Sequence, residues 1–144
     1  AITSTGGLVT WWGSPIALFE IQFPLRYTNH AYGNFIGPWM YGGEALTRPD
    51  LFQEYSKHAI RPSYKGYSAQ VKAMCSWSSL GWAHRLKQPT LVIAGAFDTL
   101  IPIFNQIAEA VICRNYDCEE YPAGHLLMYS HRQDVARKIT GFLG

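Results

Sequence analysis

Charged residues, cysteines and long apolar runs are all scarce in this sequence of 144 residues, and each scarcity excludes a class of protein. Only 15% of the residues are charged and the formal net charge is +2, with Lys and Arg scattered along the chain. A basic surface for nucleic acid or for an anionic membrane is therefore not predicted. Because no apolar run approaches the ~18 residues of a membrane-spanning helix, we expect no membrane span.

Cysteine is represented only by Cys75, Cys113 and Cys118, whose spacing does not suit a metal site and whose odd number does not suit a disulfide framework. We therefore expect a reduced, cytoplasmic protein without a metal or another cofactor, although a Cys113–Cys118 bridge stays open. The first seven residues, AITSTGG, have neither the basic start nor the apolar run of a signal peptide. Since they also lack an initiator Met, we expect a chain that has been cut or processed.

The composition changes near residue 87. Residues 1–86 are rich in Gly, Pro and aromatic side chains and predict a mostly helical lid. Within it we expect a loop over residues 4–14, a helix from Pro15, and helices over 49–58 and 67–77. The glycines and Pro38 within residues 33–43 predict an irregular segment around residues 39–41.

Residues 87–144 predict the alternation of strands and helices that is typical of α/β proteins. The run PTLVIAG at 89–95 is apolar without alternation, as expected for a parallel strand covered on both faces. A helix over 104–113, a strand over 118–121 and a helix over 132–143 complete a βαβα unit at the edge of a parallel sheet. We expect one face and one edge of the first strand to need cover from elements outside this chain.

Two loops leave the ends of these strands and carry an acid and a histidine. Asp98 lies in GAFDTLIP at 95–102, and His125 ends PAGH at 122–125. The carboxyl ends of neighbouring parallel strands meet at one edge of a sheet, so we expect a hydrogen bond of ~2.6–3.2 Å between them. A serine hydroxyl needs an imidazole to take its proton and a carboxylate to orient that imidazole. Asp98 and His125 are therefore the predicted acid and base of a catalytic triad.

Ordinary structural roles remain open for both residues. Asp98 could cap the following helix, and His125 could be a plain surface histidine after a turn. The other four histidines have no comparable context and are interpreted as surface or capping residues: His30, His58, His84 and His131.

The two loops resemble those of α/β-hydrolases, whose acid loop reads Gly-x-x-Asp-x-x-x-Pro and whose histidine loop reads Gly-His. Residues 40–43 (MYGG), 48–50 (RPD), 66–70 (GYSAQ) and 80–82 (LGW) are similar to the lid of intracellular poly(3-hydroxyalkanoate) depolymerases. The resemblance covers essentially the whole chain. It implies the C-terminal part of an α/β-hydrolase fold, with residues 1–86 as lid and 87–144 as core. The implied activity is hydrolysis of a polyhydroxyalkanoate or a medium-chain acyl ester.

One family motif is missing, because the sequence has no Gly-x-Ser-x-Gly. The nearest stretch, GYSAQ at 66–70, lacks the final Gly and a preceding strand, so Ser68 is interpreted as structural, as is Cys75. The resemblance then implies that the nucleophile lies upstream or on a companion chain. The alternative is a non-catalytic assembly module, or a degenerate hydrolase half, that pairs through an open strand edge.

Aromatic and apolar side chains are expected to contact the acyl or polyester substrate, although a plain core role stays open for the aromatic ones. Trp11 and Trp12 belong to the same aromatic group. The predicted substrate-binding residues are Trp39, Met40, Tyr41, Trp77, Trp82, Leu100, Ile101 and Leu126.

Overall fold

A computed structural model describes residues 11–113 and 115–144. The predicted loop over 4–14 therefore lies mostly outside the described residues. Helices dominate the first part: α1 (Pro15–Glu20), α2 (Leu25–Thr28), α3 (His30–Tyr41), α4 (Pro49–His58) and α5 (Tyr64–Ser76), with 3-10 turns at Gly43–Leu46 and Ala83–Arg85. The second part contains β1 (Thr90–Gly95), α6 (Ile103–Ile112), β2 (Tyr116–Tyr121), α7 (Leu127–Ser130) and α8 (Arg132–Leu143).

The two strands form a parallel pair, with Thr90 opposite Tyr116 and Gly95 opposite Tyr121. Helix α6 connects them, so the predicted strand–helix–strand order and the parallel pairing are confirmed. Both strands end at the same level, which brings the loops that follow them to one edge of the sheet.

Strand β1 is buried along its whole length. Leu91 and Ile93 pack with Tyr121 and Val135 in one cluster, to which α8 adds Ile139 and Phe142. The expectation that one face of this strand is bare is therefore wrong for its side chains, because the chain's own helices cover them. Large apolar side chains are exposed elsewhere, among them Trp11, Trp12, Ile16, Phe19, Phe35, Phe104 and Val111.

Helix α3 contradicts the irregular segment predicted around residues 39–41, because the chain is helical from His30 to Tyr41 with Pro38 inside. Gly33 and Gly37 lie one turn apart and face Phe52 of α4. A Cβ atom at Gly37 would lie 2.7 Å from the Phe52 ring. These glycines allow two helices to approach closely instead of breaking one. The helix ends at Gly42, whose φ of 64° favours glycine.

Helix α5 begins three residues before its predicted start. Ser63 provides the reason, since its hydroxyl accepts a hydrogen bond from the Gly66 N–H at 3.1 Å and caps the helix. Helix α4 has the predicted bounds.

A second cluster joins the helical part to the loop after β2. It consists of Ala17, Met40, Tyr41, Ala45, Leu51, Phe52 and Leu126. Since Leu126 directly follows His125, the packing of the helices determines where the histidine loop lies. The division into a lid (1–86) and a core part (87–144) stays a prediction.

All three cysteines are free thiols, so the Cys113–Cys118 bridge is not formed. Across the described ranges, no helix has both the length and the apolarity to cross a membrane.

Candidate active site

The loops after β1 and β2 are tied together by backbone hydrogen bonds. The N–H of Phe97 donates to the carbonyl of Ala123 at 2.9 Å, and the N–H of Ala96 donates to Tyr121 at the same distance. A Cβ atom at Gly95 would lie 2.7 Å from the Ala123 oxygen, so this close approach requires glycine. The acid and histidine loops are consequently held side by side.

Asp98 and His125 form the predicted hydrogen bond, with 2.9 Å between His125 Nδ1 and Asp98 Oδ2. The other carboxylate oxygen, Oδ1, accepts from the N–H groups of Leu100 at 2.9 Å and Ile101 at 2.8 Å. The side chain of Asp98 is 3% exposed and that of His125 31%. Asp98 does not cap the following helix, because the N-cap of α6 is Pro102 and no side chain caps it. Oδ1 instead closes a turn within the acid loop, while Oδ2 holds His125.

This geometry determines the tautomer of His125. A carboxylate only accepts hydrogen bonds, so Nδ1 carries the proton that it donates to Asp98. In the neutral ring, Nε2 is then left as a proton acceptor. That is the state a general base requires.

The backbone at the end of α3 positions His125 directly. Its N–H donates to the carbonyl of Tyr41 at 2.8 Å, and its ring stacks on the Tyr41 ring with centroids 5.7 Å apart. A Cβ atom at Gly124 would lie 2.3 Å from the Gly42 oxygen, and one at Gly43 would lie 2.1 Å from the Gly124 nitrogen. Glycine is required at both positions because the two backbones touch.

Thr99 anchors the acid loop on two sides. Its hydroxyl donates to the carbonyl of Met40 at 2.7 Å, and its carbonyl accepts from the N–H of Ser14 at 2.7 Å. The acid loop, the histidine loop and the end of α3 thus form one connected unit.

A cleft of about 620 Å³ opens beside Asp98 and His125. Asn105 holds the Trp11 backbone at its rim through two hydrogen bonds of 2.9 Å. The polar part of the cleft wall also includes Gln106, whose Oε1 is buried without a hydrogen-bond partner in the described part of the chain. The remaining walls are mainly apolar: Trp11, Trp12, Leu18, Ile21, Val71, Met74, Ile93, Leu100, Ile101, Leu127 and Met128.

The predicted substrate-binding residues fall into three groups. Leu100 and Ile101 line the cleft. Met40, Tyr41 and Leu126 are buried in the cluster that joins the helical part to the histidine loop. Trp39, Trp77 and Trp82 are exposed, with the last two rings 6.2 Å apart. Among the described residues, the second and third groups are not part of the cleft wall, and their contact with a substrate stays a prediction.

Sequence reasoning missed several wall residues. Val71, Met74 and Cys75 of α5 line the cleft and lie at helical spacing on one face. That spacing is the signal that could have identified them. Within residues 11–113 and 115–144, His, Cys, Asp and Glu form no group of three or more that could hold a metal ion.

Comparison with known proteins adds to this geometry. No protein-family model matches the chain. A poly(3-hydroxyalkanoate) depolymerase of Ectopseudomonas oleovorans is 32% identical over 143 residues, which are 99% of this chain and 50% of that protein. The chain thus spans about half the length of the curated relative it matches.

Solved structures share the fold. An α/β-hydrolase from a Medee basin deep-sea metagenome library superposes with a TM-score of 0.72 at 20% identity, covering 97% of this chain and 53% of that one. A thermophilic esterase from Thermogutta terrifontis gives a TM-score of 0.69 at 21% identity, covering 92% and 51%. The chain therefore has the fold of the C-terminal part of an α/β-hydrolase, and its sequence is similar to that of a poly(3-hydroxyalkanoate) depolymerase.

Proposed function

We propose that this chain supplies the acid and the base of a catalytic triad in a carboxylic ester hydrolase. The hydrogen bond of 2.9 Å between His125 and a buried Asp98 carries the proposal. In that role, Nε2 of His125 takes the proton of a serine hydroxyl during attack on the ester carbonyl. It then returns the proton to the departing alcohol, and water releases the acid in a second, equivalent step.

Asp98 is suited to hold the imidazole through this cycle. Two backbone N–H groups bind Oδ1, so the carboxylate cannot rotate away from the ring. When His125 becomes an imidazolium, the adjacent negative charge stabilises it.

The serine nucleophile is proposed to come from a companion, either a further segment or a separate chain, with the motif Gly-x-Ser-x-Gly. This sequence lacks that motif, and it matches about half of its relative. Exposed apolar side chains such as Trp12 and Phe104 offer the companion a contact surface.

The proposed substrate is an acyl ester with a medium-length chain, or a polyhydroxyalkanoate. The name of the relative from Ectopseudomonas oleovorans and the apolar walls of the cleft support this class. A preference for apolar acyl groups follows from burial of their methylene groups, at about 0.8 kcal/mol each. The three free thiols are compatible with the proposed cytoplasmic location.

The test uses the protein assembled with its companion and follows hydrolysis of nitrophenyl acyl esters. His125→Ala and Asp98→Asn should each lower kcat by about 10³-fold or more with a small change in KM. His58→Ala, an exposed residue at the end of α4, is the control and should be neutral. Full activity in both triad variants would refute the assignment. The chain without its companion should show background hydrolysis only.

The second candidate is a non-catalytic assembly module, favoured by the same exposed apolar side chains. A fluorophosphonate probe separates the two, because it labels only an activated serine. The enzyme hypothesis predicts labelling of the companion that disappears with His125→Ala. The assembly hypothesis predicts a complex that is never labelled.

A further inference from the structure

A second pocket, of about 230 Å³, lies among the lid helices and shares no lining residue with the cleft. Its walls come from α2, the start of α3, α4 and the segment that follows α4. Four of its nine lining residues are basic: Arg26, His30, Lys57 and Arg61. None of the described residues that line it is Asp or Glu.

Arg26 is a buried cation without a carboxylate partner. The residue is 6% exposed, and no ion pair within the described ranges includes it. Its guanidinium donates to neutral oxygens, including the hydroxyls of Tyr41 at 3.2 Å and Tyr67 at 2.9 Å. These contacts satisfy its hydrogen bonds but leave its charge uncompensated, which is unusual for a buried ion.

Two more cations surround the same pocket. Lys57 and Arg61 are exposed, and Arg61 Nη2 donates to Nε2 of His30 at 3.3 Å, which fixes the Arg61 head. The nearby carboxylates are engaged elsewhere. Glu54 pairs with Arg132 at 3.2 Å, and Glu20 accepts from the Tyr32 hydroxyl at 2.6 Å. Three cationic residues, Arg26, Lys57 and Arg61, therefore line a pocket that no described Asp or Glu lines.

We propose that this pocket binds a phosphate group, as free phosphate or as a small phosphate monoester. A dianion with several acceptor oxygens matches three cationic lining residues. The guanidinium of Arg61 can bind phosphate oxygens in pairs, whereas Arg26, whose N–H groups donate to protein oxygens, contributes its charge. The hydroxyls of Tyr27 and Tyr55, 3.0 Å apart, belong to two further lining residues. One of them donates to the other, so one hydroxyl hydrogen of the pair is left to donate to such a ligand. The volume is below that of pockets for drug-sized ligands and limits the substituent to a small one.

The experiment is titration calorimetry of the purified protein with inorganic phosphate at low salt. Saturable binding that weakens with added sodium chloride is expected. The double variant Lys57→Gln/Arg61→Gln should bind about tenfold more weakly or worse, since each lost charge removes roughly a fivefold factor. Both residues are exposed, so the variant should keep its circular dichroism spectrum and melting temperature.

The control variant Arg85→Gln/Lys87→Gln removes the same charge from exposed positions outside the pocket. It should bind phosphate like the parent. Arg61→Lys should retain part of the affinity, since it keeps the charge but loses the fork. Sulfate should compete with phosphate, and acetate should not. Absence of saturable binding, an equal loss in the control variant, or equal competition by acetate would each overturn the proposal. None of these measurements depends on ester hydrolysis.

Discussion

The contact between the backbone at the end of α3 and the histidine loop yields the sharpest prediction, which is the substitution Gly124→Ala. The added methyl group would lie 2.3 Å from the Gly42 oxygen and 2.4 Å from the Tyr41 oxygen. Ordinary van der Waals contact begins near 3.4 Å, and both obstacles are backbone atoms that cannot rotate away. The histidine loop must therefore move by about 1 Å away from Tyr41 and Gly42.

That movement has two expected costs. Forcing an extra methyl group into a packed contact costs about 1–3 kcal/mol. Stretching the hydrogen bond of 2.8 Å from the His125 N–H to Tyr41 adds about 1–3 kcal/mol if the groups stay unpaired. We expect the free energy of unfolding to fall by about 2–6 kcal/mol. Because a misplacement of 1 Å disturbs the catalytic geometry, kcat should fall by about 10²-fold.

The measurements are guanidinium unfolding and nitrophenyl ester hydrolysis by the protein assembled with its companion. Gly141→Ala is the matched control, because a Cβ atom there meets nothing within 4 Å and the residue lies inside α8. That variant should be more stable by about 0.5–1 kcal/mol and fully active. If Gly124→Ala unfolds at the same denaturant concentration as the parent with unchanged kcat, the backbone at the end of α3 does not position His125.

Three further predictions test the core, the buried phenol and the cleft. Met40→Ala removes a fully buried side chain and should lower the free energy of unfolding by about 2–5 kcal/mol. Met128 is exposed, so Met128→Ala should lower it far less. Guanidinium unfolding measures both variants. Burial raises the pKa of Tyr41 to about 12, the neighbouring Tyr27 adding to the shift and Arg26 opposing it. The neutral phenol is thus favoured in the folded state, so its contribution to the free energy of unfolding should be lost as the pH rises from 10 to 12. The measurement is the difference in unfolding free energy between the parent and Tyr41→Phe over this pH range. If the phenol were solvated, this difference would not change with pH. Met74→Trp should fill part of the cleft and raise KM for long nitrophenyl acyl esters but not for nitrophenyl acetate. An equal change in KM for the long esters and for the acetate would exclude this cleft as the acyl site.

Local sequence patterns were enough to predict the acid and the histidine of the candidate site. The apolar run at 89–95 marks a parallel strand, and Asp98 and His125 follow strand ends that must meet at one edge. The hydrogen bond between them follows from that topology. The bounds of α4 were equally readable, because Pro49 suits a first helical turn and the apolar positions recur at helical spacing.

Other features depend on contacts between segments that are distant in the chain. Gly33 and Gly37 are read locally as helix breakers, yet the approach of Phe52 converts them into a packing surface of α3. The packing of the helices likewise determines which side chains cover β1 and which line the cleft. It also determines that Arg26 is buried among neutral oxygens. The strand-end loops and their acid–base pair could be predicted from the sequence, since strand period and loop position are local properties. The side chains that surround them could not, because burial depends on neighbours that folding brings together from distant parts of the chain.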